Sequence, residues 1–339
     1  MIQTVLGPID GADLGVTSMH DHVLLDASRL QRDADTPPPS GDRVVMENLG
    51  FLRWNQLALA DNLRLDDAQL AVQELAPAKT AGLRSLLEAS TWGMGPNHAG
   101  LPDIARRTGL NIVCSYGAYI RRTLPQRIAD LSEAELEEDF VSALDENIPG
   151  TDFRAAIIGI MGTTGTVTAD ERFMLRAAAR AAARTGAAMT VRLDMWERNG
   201  LDVIRLAGDL GLPADRIVFT NADEYLDGSY WEDLSATGAV LEMCFGTEAG
   251  QRGRVENPSD PQRIEFFAEF LAAHPQSRHA LGQSIWTKAQ LRRFGGYGYD
   301  HLLVDIVPAL RDRGVSAARL DRMLIEEPRR LLDRDAVTR

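Results

Sequence analysis

Two histidines one residue apart, His20 and His22, follow the short apolar run Val16–Met19. Residues i and i+2 of a strand point to the same side, so the sequence predicts that both imidazoles face one pocket. Two neutral imidazoles can share one divalent ion. Imidazole also titrates near neutral pH, so the same pair can act as general acid and general base. Two histidines held only by hydrogen bonds are the remaining alternative.

The elements that position these histidines are predicted from an alternation of short apolar runs and amphipathic stretches. The β-branched run Ala156–Met161 is followed by a helix over Arg172–Thr185, with Thr168 as its cap, Glu171 three residues further on and Gly186 at its end. Helices between successive strands favour a parallel sheet. About eight such units predict one (β/α)8 TIM barrel forming a single domain over residues 1–339, with its chemistry at the C-terminal ends of the strands.

Composition limits the partners. The chain has 339 residues, 45% of them hydrophobic and 25% charged, with a net charge of −13. An acidic surface disfavours nucleic acid and anionic membranes, which bind clusters of Lys and Arg. The N-terminal segment lacks the basic and apolar regions of a signal peptide, and no apolar run has transmembrane length, so a cytoplasmic location is predicted. Cys114 and Cys244 lie in apolar runs and are predicted to be buried thiols.

Several segments resemble the phosphotriesterase-like family of the amidohydrolase superfamily. GPIDGADLGVTSMHDH, at the start of the chain, is similar to the family's opening segment, which ends in His-Glu-His. LLEASTWGMG, AIIGIMGTTG and EPRRLL are similar to later family segments, and LGQSIWTKAQLRRFGGYGYDH resembles the lactonase branch. The likeness covers nearly the whole chain. It implies a barrel hydrolase with two divalent metal ions, and it implies a homodimer.

The resemblance also implies six metal ligands, of which only His20 and His22 match. The bridging Lys or Glu of strand 4 falls on Ile160, or on Gly159 if the alignment shifts by one residue. The histidines of strands 5 and 6 fall on Arg192 and Asn221, and the aspartate of strand 8 falls on Ser284. We therefore expect no two-metal centre and no cofactor. One weakly bound divalent ion on His20 and His22, with Asp194 or Asp223 as a third ligand, is the alternative.

The residues left at the predicted mouth suggest other chemistry. Arg192 can bind a carboxylate or phosphate by paired hydrogen bonds, or can form an ion pair with Asp194, Asp223 or Glu224. The predicted catalytic residues are His20, His22, Arg192 and Asp223. The predicted substrate-binding residues are Trp92, Tyr119, Asn221, Ser284, Trp286 and Lys288. Glu88 and Glu242 lie inside apolar strands and are expected to face the polar mouth or to meet an arginine.

Three functions follow from these residues. The leading hypothesis is a metal-independent enzyme that moves a proton on a small anionic substrate, an organic acid or a lactone-like metabolite, as a lyase, isomerase, cyclase or hydrolase. The second is a one-metal hydrolase of a lactone or ester that uses His20 and His22 as ligands. The third is a catalytically silent protein that binds a ligand or a partner. No Ser-His-Asp order, P-loop or GxGxxG motif supports another class.

Overall fold

The computed structural model describes residues 1–248 and 257–334. Eight parallel strands form its central sheet, and each pairs with its neighbour in chain order. In that order they are β1 Thr17–Asp21, β2 Ser85–Glu88, β3 Asn111–Tyr116, β4 Ile157–Gly162, β5 Met189–Arg192, β6 Ile217–Thr220, β7 Val240–Cys244 and β8 Arg278–Gly282. Strand β1 extends through His20 and Asp21, beyond the apolar run from which it is predicted.

Backbone hydrogen bonds between β8 and β1 bring the two ends of this sheet together. The Gln283 amide donates to the His20 carbonyl at 3.0 Å, and the His22 amide donates to the Ile285 carbonyl at 3.0 Å. Gly282 permits this approach, because a Cβ there would lie 2.7 Å from the Cβ of His20. The predicted (β/α)8 barrel is confirmed.

Helices surround the sheet. The longer ones are Ala68–Thr80, Leu101–Thr108, Glu133–Asp145, Ala169–Thr185, Gly200–Asp209, Gly228–Ala236 and Asp260–Ala273. The short helices Val307–Asp312, Ala317–Asp321 and Glu327–Leu332 follow β8. The helix predicted over Arg172–Thr185 begins at Ala169, because Thr168 and Glu171 form a capping box, and it stops at Gly186 with φ 70°.

The core has two layers. Alternate strand residues such as Met19, Val113 and Val218 fill the inside of the barrel. A larger set, including Ile112 and Phe219, packs between the strands and the helices. Because both faces of each strand are covered, the strand sequences are almost continuously apolar. A polar residue in a strand is therefore conspicuous, and such residues lie mainly at the two ends of the strands, as His20 and Arg192 do at the C-terminal ends, where the layers open.

The segment between β1 and β2 covers the mouth of the barrel. It contains the short helices Ser28–Leu30, Met46–Asn48, Leu49–Leu52 and Ala60–Leu63 and a small hairpin of Leu25–Asp26 with Arg64–Leu65. A second hairpin pairs Ile2–Thr4 with Gly7–Ile9 near the chain start. None of the helices in the described ranges is long and apolar enough to cross a membrane.

Candidate active site at the barrel mouth

A cavity of about 390 Å³ opens at the C-terminal ends of the strands. Its walls are His20, His22, Leu30, Met94, Tyr119, Ile160, Arg192, Asn221, Glu224, Glu248, Ser284 and Trp286. Seven of the ten residues that the sequence proposes for catalysis or binding lie in this one place. The barrel brings them together because the ends of parallel strands meet at one rim.

The two histidines face each other in this cavity. Their Nε2 atoms are 3.3 Å apart, and both rings are buried. Burial, followed by the charge of Arg192, lowers the pKa of His20 to about 3. Burial, followed by the proximity of His20, holds the pKa of His22 well below its ordinary value. Both imidazoles are therefore neutral at neutral pH, and each offers one donor and one acceptor.

Each imidazole is fixed by a partner at its other nitrogen. His22 Nδ1 lies 3.0 Å from the hydroxyl of Ser90, and His20 Nδ1 lies 3.2 Å from Glu242 Oε2 and close to Thr220 Oγ1. A carboxyl oxygen of Glu242 that accepts at Nδ1 favours the tautomer that carries its proton there. The unprotonated Nε2 of His20 then faces His22 as an acceptor.

Glu242 and Glu88 are buried carboxyl groups that meet no arginine among the described residues. Burial raises the pKa of Glu242 to about 8 and that of Glu88 to about 7. Glu242 turns toward His20, whereas Glu88 accepts backbone hydrogen bonds from Val23 and Ser90. The expectation that both face the mouth or meet an arginine therefore holds only in part. Glu88 instead binds backbone amides that lie just beyond the ends of β1 and β2.

Arg192 forms the ion pair that the sequence offers as its alternative role. Its Nη2 donates to Glu224. Burial of the guanidinium lowers the pKa of Arg192, but the negative charge of Glu224 outweighs burial and raises this pKa above its ordinary value. Its side chain is 28% exposed and still lines the cavity. A guanidinium has five N–H donors, so pairing with one carboxylate oxygen leaves donors for a ligand.

Asn221 and Ser284 occupy strand ends with left-handed backbones, at φ 55° and φ 51°. This conformation turns the chain sharply after β6 and after β8. The Ser284 amide donates to the His20 carbonyl at 2.7 Å, so Ser284 joins the loop after β8 to β1 while it lines the cavity. Gln283 is structural in the same way, because its side chain bonds the backbone of Tyr299 and Leu302.

Three of the predicted residues lie elsewhere. Asp223 is fully buried, accepts from the Cys244 amide at 2.9 Å and pairs with Arg263 at 3.2 Å. Lys288 pairs with Asp61 at 2.7 Å. Trp92 packs under the guanidinium of Arg127 at 4.1 Å. None of the three is among the residues that line the cavity. In each case the fold places a residue distant in sequence against the side chain.

The structure adds wall residues that the sequence does not propose for the site. Glu224 is foreseen only as a partner of Arg192, and Leu30, Met94 and Glu248 are not foreseen at all. Leu30 ends a one-turn helix and Glu248 lies in a turn, and neither element is long enough for periodicity to mark the side that faces the barrel. Among these residues only Glu224, which follows the C-terminal end of β6 within a few residues, has a sequence position that indicates a place at the barrel mouth.

The residues at the implied ligand positions do not fit a two-metal centre. Ile160 presents hydrocarbon to the cavity where a bridging oxygen is needed, and Arg192 brings a positive charge. Asp223 and Asp194, the predicted third ligands for a single ion, are engaged with Arg263 and with the amides of Gly165 and Trp196. The described residues contain one other group suited to an ion, formed by His20, Glu242 and Cys244 beneath the cavity.

The chain is a (β/α)8 barrel with a polar cavity at its mouth. The family model of the phosphotriesterase family matches residues 1–332. A phosphotriesterase-related protein of Nematostella vectensis is 32% identical over 340 residues, covering 97% of each chain. An N-acetyltaurine hydrolase of Tetraodon nigroviridis is 30% identical, over 98% of this chain and 97% of its own.

A solved structure shows the same architecture. The crystal structure of a resiniferatoxin-binding protein from Rhodobacter sphaeroides superimposes with a TM-score of 0.92 at 31% identity, covering 98% of this chain and 95% of that chain. The chain belongs to the phosphotriesterase family.

Proposed function

We propose that this protein is an enzyme that acts on a small organic acid, or on an amide or lactone bearing an acid group, by proton transfer and without a two-metal centre. The observation that carries the proposal is the composition of one cavity. His20, His22 and Arg192 line it together, while Ile160 and Ser284 stand where bridging and carboxylate ligands are implied. The cavity thus has groups that bind anions and move protons, and of the six implied metal ligands only His20 and His22 match.

Arg192 holds the acid group in this proposal. Its charge is partly balanced by Glu224, so the ligand binds to the remaining N–H donors and not to an isolated cation. Asn221 and Ser284 supply neutral hydrogen bonds at the neighbouring strand ends. The relative named for N-acetyltaurine hydrolysis supports a substrate that combines an amide with an anionic group.

His20 and His22 move the proton. In the free protein His20 is a weak base, because burial and Arg192 both lower its pKa. An anion bound to Arg192 offsets the positive charge that lowers the pKa of His20. The pKa of His20 therefore rises, and His20 is a better base when substrate is present. The Glu242 oxygen at Nδ1 accepts a hydrogen bond from the imidazolium that forms, and His22 can pass or receive the proton across the 3.3 Å Nε2–Nε2 contact.

A one-metal hydrolase is the second candidate, and one observation favours it. Two neutral imidazoles whose Nε2 atoms are 3.3 Å apart resemble two ligands of a single ion. Such an ion supplies Lewis-acid activation of a water or carbonyl.

The test is turnover by chelated protein. Protein treated with chelator is incubated in D₂O with a panel of N-acyl amino acids, N-acetyltaurine, hydroxy acids and lactones, and proton NMR reports both hydrolysis and exchange at carbon. We expect turnover that is lost in His22→Gln and Arg192→Met and retained in the surface control Arg205→Met. Turnover only after metal addition would select the one-metal candidate. Ligand binding without turnover would make the chain a binding protein.

A further inference from the structure

A second hollow, of about 1080 Å³, adjoins the cavity. The two share five wall residues, namely Leu30, Tyr119, Arg192, Glu248 and Trp286. The inner cavity is walled mainly by strand ends, whereas the outer hollow is walled mainly by loop residues between 32 and 58 and between 120 and 164. The outer hollow therefore lies on the solvent side of the inner one, and the two adjoin across these shared residues.

The wall of the outer hollow is half polar, with Arg32, Asp33 and Arg122 among its residues, and half apolar or aromatic. Trp54, Leu57, Ile120 and Trp286 line it. The Trp54 side chain is 64% exposed. Trp286 is held in place by a hydrogen bond from its Nε1 to Glu248 at 3.2 Å. Two indole rings are thus presented at a concave surface next to the candidate catalytic groups.

A buried polar atom in the same wall points to a ligand. Gln56 is only 6% exposed, and its Nε2 has no hydrogen-bond partner among the residues that the structure describes. Gln56 lines both this hollow and the neighbouring one beside Gly295 and Tyr297. A buried amide donor without a partner destabilises the free protein, and an acceptor on a bound molecule would satisfy it.

We infer that the natural ligand has two parts: a small reacting group in the inner cavity and an aromatic or other apolar tail, bearing a hydrogen-bond acceptor, in the outer hollow. The tail packs against Trp54 and Trp286, and its acceptor receives the Gln56 Nε2–H. This assignment rests on the proposed function for the identity of the reacting group, but the tail site stands on its own residues.

The test uses two kinds of probe, measured by isothermal titration calorimetry. The first kind is a neutral aryl amide, N-benzylbenzamide, which has rings and an acceptor but no acid. The second is a pair of acids, acetate and 4-(benzoylamino)butanoate, which differ in the tail. We expect the amide to bind, and the long acid to bind more tightly than acetate.

Variants assign the binding to the hollow. Trp54→Ala should weaken the amide and the long acid by roughly fivefold, the scale of one aromatic contact, and leave acetate unchanged. Gln56→Leu should weaken both tail-bearing probes and also leave acetate unchanged. Trp196→Ala is the matched control, because that ring is 49% exposed and stacks on Tyr225 outside the hollow.

The outcomes separate the two proposals. If the amide does not bind, or if Trp54→Ala and Trp196→Ala behave alike, the tail site is wrong. If the amide binds through Trp54 while neither acid responds to Arg192→Met, the tail site stands and the anion-binding part of the proposed function fails. Crystals soaked with the amide should show its rings against Trp54 and Trp286, and density at any other place would overturn the assignment.

Discussion

The Nε2 atoms of His20 and His22 lie 3.3 Å apart, while the Nδ1 atom of His20 is held 3.2 Å from Glu242. The two histidines therefore form a pair whose outer nitrogens are fixed by the protein and whose inner nitrogens face each other in the cavity. The pair suits proton transfer and also suits one shared ion, so metal content is the first quantity to measure.

Metal content should be well below two ions per chain in protein expressed with ample zinc or manganese. Ile160 cannot bridge two ions, and Arg192 and Asn221 replace the implied ligands of the second. Any ion present should leave on mild chelation with little change in Tm, because weak binding adds little stability by mass action. Plasma mass spectrometry measures the content.

Two variants locate any residual ion. His22→Gln should remove an ion held between the histidines, whereas Cys244→Ser should remove one held by His20, Glu242 and Cys244 beneath the cavity. A content near two, with activity lost on chelation, would show that other residues rebuild the family's centre.

Arg192→Ala should weaken binding of an anionic ligand by about 1.5–3 kcal/mol, the scale of a hydrogen bond to a charged group. Acetate titrated by calorimetry is the probe. Because the change also leaves Glu224 without its partner, the double variant Arg192→Ala/Glu224→Gln separates ligand binding from the loss of the ion pair. If the protein unfolds in Arg192→Ala while the folded fraction binds acetate normally, Arg192 has only a structural role.

Gly282→Ala should destabilise the barrel by about 1–3 kcal/mol, as expected for overpacking. The added Cβ would lie 2.7 Å from His20 Cβ and 2.8 Å from the His20 amide nitrogen, at the junction of β8 and β1. Urea denaturation measures the loss. Gly208→Ala is the control, since that helical glycine has nothing within 4 Å of an added Cβ and should instead gain about 0.5–1 kcal/mol. Equal stability of Gly282→Ala and wild type would show that the junction relaxes.

His301→Gln should lose stability mainly at lower pH. His301 contacts Asp260 and Asp305 at 2.8 Å each, with Arg263 also on Asp260 and the Tyr297 ring stacked on the imidazole. Burial lowers the pKa of His301, but the two carboxylates outweigh it and raise the pKa above its ordinary value. The stabilisation is therefore fully present below about pH 6.5 and is lost as pH rises through the folded pKa.

Urea denaturation at pH 6 and pH 9 checks this sign. The difference in unfolding free energy between wild type and His301→Gln should be larger at pH 6. Asp305→Asn should show the same trend with a smaller size, because Asp305 is 61% exposed. A difference that grows toward pH 9 would contradict the assignment.

The sequence by itself determined the barrel and the positions that surround its mouth. Strand residues covered on both faces must be almost wholly apolar, so the polar residues His20, Arg192, Asn221 and Ser284 mark strand ends directly in the sequence. The same regularity places them on one rim, because parallel strands end together. The prediction that four implied ligands are missing likewise comes from the sequence alone, and metal analysis tests it.

Only the tertiary structure decided which side chains meet. Arg192 pairs with Glu224 and not with Asp194 or Asp223, and Asp223 is held by Arg263 from a helix much further along the chain. Lys288 pairs with Asp61, which lies far earlier in the chain, in the segment between β1 and β2 that covers the mouth. Spacing along a chain fixes the face of a strand on which a residue lies, but the partner of a buried charge is set by whichever group the closed barrel places within a few ångströms.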